Sequence, residues 1–413
     1  MTIRHLYPAV EPSLNLGFAN SKRLDSRITF TRASTGTYTD ESGIIRTAAA
    51  NEARFDHDGD GNSLGLLIEE SRTNSLTYSE EFDNAAWTKT RTTITANAAT
   101  APDGTTTADK LIRGTDNSIN VVYQTVSLAA TTYTLSVFAK KGEYNFCTLN
   151  LPNNEGWNSD RWVSVNLADG SYTTSASAPT STSVVAYQNG WYRISITHAA
   201  TATVTRGGYI EARSSAGYGN QAGDGTSGIY IWGAQIETGS FPTSYIPTSG
   251  STVTRSADVA SMTGTNFSSW YNQSEGTLFT DAKVLSIQSQ PVIAAFKDGL
   301  TNSNEYIATW VRNTGAVRFG GAAGGATQWL INSGIPGINT PFKTAHSWAQ
   351  NNIAVVVDGG NISTDTSALI SSALDRLHIG RIYGSAQQLS GTIASLTYYP
   401  VRLPDATLQA LTL

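Results

Sequence analysis

The chain has 413 residues, with 37 Gly, 2 Met and only 14% charged residues, and about a quarter of its positions are Ser or Thr against roughly an eighth in an average protein. It is poor in the Glu, Lys, Arg, Leu and Met that cover helix surfaces and rich in the residues of strands and turns, which excludes a helical bundle, a coiled coil and a βα-alternating enzyme fold. A net charge of -5 without a basic block argues against a nucleic-acid partner, and 39% hydrophobic residues argue against general disorder.

Residues 1–75 show little periodicity. Short apolar pieces such as Ile28-Thr29-Phe30 and Leu64–Ile68 alternate with turn clusters, Asp40–Gly43 and Asp56–Gly61 among them. This reads as an extended N-terminal arm that cannot bury much alone and packs on the rest of the protein or on a partner. Met1–Pro8 holds Arg4 and His5 and no 7–15-residue apolar stretch, so no secretory signal is expected. No apolar run approaches the roughly 18 residues that span a membrane, so no membrane insertion is expected. Cys147 is the only cysteine, which leaves no intrachain disulfide and fits synthesis in a reducing cytosol.

From residue 76 the pattern becomes strand-like. Tyr133, Leu135 and Val137 alternate with Thr134 and Ser136; Val163, Val165 and Leu167 with Trp162, Ser164 and Asn166; Tyr192, Ile194 and Ile196 with Trp191, Arg193 and Ser195. Each is a period-2 strand with one face in a core. Turn signals at Asp103-Gly104, Asp169-Gly170, Asn189-Gly190 and Asp224-Gly225 separate them, the pattern of a two-sheet sandwich. Pro242 and Pro247 break the pattern and place a boundary near residue 250. Strands resume at Gly276–Phe279, Tyr306–Val311 and Ile353–Val357, and Pro404–Leu411 reads as a short helix. The predicted fold is all-β: an arm over 1–75, a sandwich over 76–250 and a second over 251–413.

Three tracts carry a resemblance. Pro12–Ala19, Ile28–Thr35 and Leu66–Asn74 resemble the arm of many bacteriophage virion proteins. Tyr78–Phe82, Trp87, Ala101–Gly104, Gly190–Arg193 and Gly233–Glu237 resemble the carbohydrate-binding-like jelly roll that follows that arm. Leu377–Arg381 and Leu389–Leu396 resemble the close of a concanavalin A-like or laminin G-like sandwich. The resemblance implies a virion structural protein made in the host cytoplasm, a tail fibre or receptor-binding protein first, a head fibre or capsid decoration protein next. It further implies attachment to other virion proteins through the arm, a homo-oligomer, most simply a trimer, and contact with host-surface carbohydrate.

Trp162 and Trp191 fall on the polar sides of their strands, Trp157 lies in a Gly/Asn-rich stretch, and Trp329 sits in the second sandwich. These four are the candidate sugar-stacking residues, set against the plainer reading of rings that pack over a sheet. Asp56, Asp58 and Asp60, followed by Gly61, match the opening of an EF-hand loop and are the candidate calcium ligands. Leu67 occupies the place of the closing bidentate Glu, so a solvated acidic turn competes with a structural calcium, and no other cofactor is expected. Asp83, just after Phe82, makes half of the calcium site that carbohydrate-binding jelly rolls often hold; the second acid is missing. No Glu-x-Asp-x-x-Glu strand, Gly-x-Ser-x-Gly elbow, His-Glu-x-x-His helix or phosphate loop is present. The expectation is therefore no catalysis, with a polysaccharide depolymerase as the alternative.

Overall fold

A computed structural model describes residues 10–153, 155–299, 304–382 and 387–413. It is nearly all antiparallel β. Residues 76–250 form a sandwich of two sheets. The six-stranded sheet runs in the order Ser181–Ala186, Trp191–Ala199, Thr132–Lys141, Gly228–Thr238, Ala108–Arg113, Thr92–Ala99. The seven-stranded sheet runs Tyr172–Thr174, Arg161–Asn166, Phe146–Leu151, Tyr209–Arg213, Val121–Leu128, Val204–Arg206, with Trp87–Thr90 also paired to Val121–Leu128. Leu135, Val137, Ile194 and Ile196 of the first sheet meet Leu149, Val163, Val165 and Ile210 of the second in one core. The predicted turns hold: Gly104, Gly170, Gly190 and Gly225 have φ of 86°, 77°, 77° and 78°, the left-handed backbone that glycine adopts without a Cβ penalty.

The second sandwich is not confined to residues 251–413. Its eight-stranded sheet is built on Gly391–Tyr399, which pairs on one side with Glu275–Val284 and on the other with both Leu14–Leu16 and Ser63–Ile68. Arg54–His57 extends that sheet beyond Ser63–Ile68. In the facing seven-stranded sheet Thr29–Thr31 pairs with Val259–Thr263. Leu14, Leu16, Phe18, Phe30, Leu66 and Ile68 thus share a core with Phe296, Trp348 and Tyr398. The N-terminal segment is therefore an integral part of the C-terminal sandwich rather than a separate arm. Strands of three to six residues are marginal alone, and the edge of Gly391–Tyr399 offers them a row of backbone donors and acceptors. The surface that orders this segment lies in the same chain. The C-terminal helix forms at Asp405–Leu411 with Pro404 at its N-cap.

Where the two sandwiches and the N-terminal segment meet, five charged side chains are packed out of water. Asp258 accepts from Arg32 at 3.1 Å and Arg54 at 2.6 Å; Glu69 pairs with Arg54 at 2.8 Å and Arg255 at 3.1 Å. Ser244, from the end of the jelly roll, gives Glu69 both its N–H and its hydroxyl, each at 2.7 Å. Burial opposes ionisation of Glu69, but the Arg255 and Arg54 guanidiniums outweigh it and hold the carboxyl down at about 2. Two of these five, Arg32 and Glu69, lie in the tracts that carried the resemblance.

Candidate functional site

The two jelly-roll sheets differ on their outer faces. The outer face of the six-stranded sheet is covered. Phe138, Trp191 and Trp232 pack there with Tyr245 and with Ile45 of the N-terminal segment. Trp191 is 1% exposed, and its indole N–H donates to the Thr100 carbonyl at 3.2 Å. It is a packing residue, not a sugar platform. Trp157 is buried in the jelly-roll core near His198, although its Gly/Asn-rich surroundings pointed to an exposed loop. Trp329 is buried in the second core, 5.8 Å from the Phe319 ring. Of the four candidates only Trp162 keeps part of its surface in water.

Trp162 lies on the outer face of the seven-stranded sheet, opposite the core row Val163 and Val165. Register extends a row from it across three more strands. Asn150 stands across from Trp162, Tyr209 across from Asn150, and Tyr123 follows with its ring centroid 5.1 Å from that of Tyr209. Arg206 lies over both tyrosines, 4.8 Å from the Tyr123 centroid and 5.7 Å from the Tyr209 centroid. It donates to the Tyr209 hydroxyl and pairs with Glu155 at 3.0 Å. Asn150 donates to Asp160 at 3.0 Å, while its buried carbonyl oxygen has no protein partner.

A loop over 214–222 lies beside this row. Its backbone carbonyls at Gly217 and Gly219 accept from Thr148 and Arg213, each at 2.8 Å. It brings Tyr218 beside Asn150 and Asp160; burial pushes that phenol up and the Asp160 charge adds to the push. Behind the loop, Glu211 is held by Arg113 at 2.9 Å and Arg213 at 3.0 Å. Within the row Asn150 is fully buried and Tyr209 is 8% exposed, so the half-buried rings of Trp162 and Tyr123 are its aromatic faces, edged by Asp160, Arg206 and Tyr218. Sequence reasoning found Trp162 in this strip and missed Tyr209, Tyr123, Arg206 and Tyr218. The one signal for the tyrosines was their place on the polar side of their strands.

The three candidate calcium ligands do not converge. Asp56 accepts the Thr39 N–H at 2.8 Å, and Asp58 spends both oxygens on its own turn, accepting from the Asp60 and Asn62 backbone and the Asn62 amide at 2.9–3.0 Å. Asp60 points to solvent. A pocket of about 370 Å³ gathers Glu80, Glu81, Asp83 and Asp109, but Asp109 already accepts from the Phe82 and Asn97 N–H groups at 2.8 and 2.9 Å. Among the described residues no group of three or more His, Cys, Asp or Glu is placed to hold a metal ion.

The chain matches no family model and no curated protein. Solved structures are similar to part of it. A Ruminococcus gnavus sialidase CBM40 bound to α2,3-sialyllactose aligns at TM-score 0.32 and 17% identity, over 34% of this chain and 83% of that one. The Streptococcus pneumoniae NanB sialidase aligns at 0.31 and 12%, over 36% of this chain and 26% of that one. A heptameric SAP-like pentraxin from Limulus polyphemus aligns at 0.27 and 14%, over 33% and 68%.

Proposed function

We propose that this chain is a non-enzymatic glycan-contacting protein whose contact surface is the row Trp162, Asn150, Tyr209 and Tyr123. The observation that carries the reading is the register that sets the half-buried Trp162 and Tyr123 at the two ends of one row, with the buried Asn150 and Tyr209 supporting them, on the jelly-roll face the N-terminal segment does not cover. Sugar rings stack an apolar face on an aromatic ring and offer hydroxyls at the rim, where Asp160, Arg206 and Tyr218 provide partners. Removing about 80 Å² of apolar surface from water is worth roughly 2 kcal/mol, around thirtyfold in affinity. The carboxylates beside the row are engaged by Arg206, Asn150 and the Arg113–Arg213 pair, which supports binding over hydrolysis.

The finer reading is a bacteriophage surface protein, a tail fibre or receptor-binding protein, with a head fibre or decoration protein as its variant. It rests on the sequence tracts at 12–35 and 66–74 and would place the chain on the virion. The N-terminal segment no longer motivates a trimer or a dedicated virion anchor, since this chain's own second sandwich orders it. A glycan array probed with the parent and with Trp162→Ala and Tyr123→Ala variants tests the binding reading. Loss of array signal at unchanged melting temperature is expected; retained signal in both variants overturns it. Shortening of host polysaccharide by the purified protein overturns the non-enzymatic part. A cryo-EM map of the particle tests the virion assignment.

A further inference from the structure

A second concavity lies at the seam of the two sandwiches, away from the aromatic row. It encloses about 550 Å³, inside the range of roughly 300–1,000 Å³ typical of ligand sites. One wall is the jelly-roll edge, with Ser181, Ser183, Val185, Arg193 and Ser195; the other is the N-terminal strand pair and the second sandwich, with Asp56, His57 and Lys283. Phe138 and Tyr187 supply an apolar part of the lining.

Two lining side chains, each more than nine-tenths buried, carry a polar atom with no protein partner. His57 is 7% exposed and Arg193 8%. The Nδ1 of His57 lies 2.9 Å from the Thr39 carbonyl, which can only accept, so Nδ1 holds a proton, and Nε2, an acceptor in that tautomer, has no protein partner. Arg193 donates through Nη1 to the Thr243 carbonyl at 2.7 Å and through Nη2 to the Ser136 hydroxyl at 3.1 Å, leaving its Nε–H without an acceptor. A buried polar group left unpaired costs about 1–3 kcal/mol. Two of them in one polar cleft mark where a ligand would restore the bonds.

The charges around the cleft define the ligand's sign. Lys283 projects from the outward row of Glu275–Val284, whose inward row Ala282 and Val284 belongs to the core. The facing acids are Asp56, Asp58 and Glu69. Burial pushes the Asp56 carboxyl up, against the Thr39 N–H that it accepts. Lys283 and Arg193 are the cations of the cleft; Glu69 is paired with two arginines, and the Asp58 oxygens are turned onto its own loop. We propose that the seam between the sandwiches is a second binding site, distinct from the aromatic row, for a hydroxyl-rich anion: Lys283 and the Arg193 Nε–H take the anionic oxygen and His57 Nε2 accepts from a hydroxyl. A carboxylated and a phosphorylated sugar share this chemistry.

Calorimetry on the full chain with tri-galacturonate, glucose 6-phosphate and neutral maltotriose separates the cases. Saturable binding of at least one anionic probe is expected, with maltotriose at least tenfold weaker; the preferred anion identifies the source. Lys283→Gln should weaken the anion about tenfold or more. Val185→Trp, at the cleft wall opposite Arg193 in register, should abolish it. Trp162→Ala should leave it unchanged, so failure of this site and failure of the aromatic row read out separately. The proposal is overturned if neither anion binds at millimolar concentration, if Lys283→Gln binds like the parent, or if Trp162→Ala removes the binding. Melting curves confirm that the variants are folded.

Discussion

Trp191 and Trp162 occupy equivalent places in sequence, each on the polar side of an alternating strand in the same sandwich. Their fates are opposite. Trp191 is sealed beneath Ile45 and beside Tyr245, whereas Trp162 heads a half-open row that runs to Tyr123. The two strands are not different in kind. One of the two sheets is covered by the N-terminal segment and the 241–248 connection, and the other by the 214–222 loop, which leaves Trp162 and Tyr123 half-buried. An aromatic residue on a strand's polar side thus becomes structure or surface according to what the rest of the chain lays over it.

The strongest way to break this contrast is to remove the cover. Deleting residues 1–75 strips two partners from Gly391–Tyr399 and seven buried apolar side chains from the second core. We expect the C-terminal sandwich to lose protease resistance and the remaining chain to aggregate through the bared strand edge. The jelly-roll core, which contains no residue before Leu76, should keep its own melting transition. If the truncated chain melts in two transitions like the parent, the segment is not integral.

The charged junction sharpens the contrast by a point change. Arg54→Met leaves Asp258 with Arg32 as its one arginine and Glu69 with Arg255 as its one, two buried carboxylates each short of a cation, which should cost about 3–5 kcal/mol in denaturant melts. Acid should act through the same group. The Glu69 carboxyl, near 2 in the folded chain against an ordinary 4.5, contributes stability that is fully present above pH 4.5 and lost as pH falls through 2. That contribution is on the order of 3 kcal/mol. Glu69→Gln should remove this part of the acid dependence between pH 4.5 and 2; an acid limb identical to the parent's would refute the assignment.

The paired tryptophan variants test the comparison directly. Trp191→Ala should cost about 3–5 kcal/mol, since it empties a fully packed site. Trp162→Ala should cost less than about 1 kcal/mol while weakening glycan capture. Equal losses in melting temperature would erase the distinction between the two faces. The smallest effect is expected from chelation. Because Asp56 and Asp58 serve separate partners and Asp60 points to solvent, EDTA should leave the melting temperature unchanged, and a drop of several degrees would restore the calcium reading.

Much of the fold was legible in the residues themselves. Alternation at Tyr133–Val137, Trp162–Leu167 and Tyr192–Ile196, with glycine at the four marked turns, specified antiparallel strands and their inward faces, because period-2 patterning and positive φ are local properties. Pro242 and Pro247 marked the end of the jelly roll for the same reason. The burial of Trp157, Trp191 and Trp329, the pairing of Leu14–Leu16 and Ser63–Ile68 with a strand more than three hundred residues later in the chain, and the meeting of Arg32, Arg54, Glu69, Arg255 and Asp258 were not legible. Each depends on pairing between segments far apart in sequence, and a strand's own alternation states which face is apolar without naming the strand or loop that will cover the other. The row from Trp162 to Tyr123 belongs to the same class: of its members the sequence reading singled out Trp162 alone, and only the register of four neighbouring strands set Asn150, Tyr209 and Tyr123 beside it.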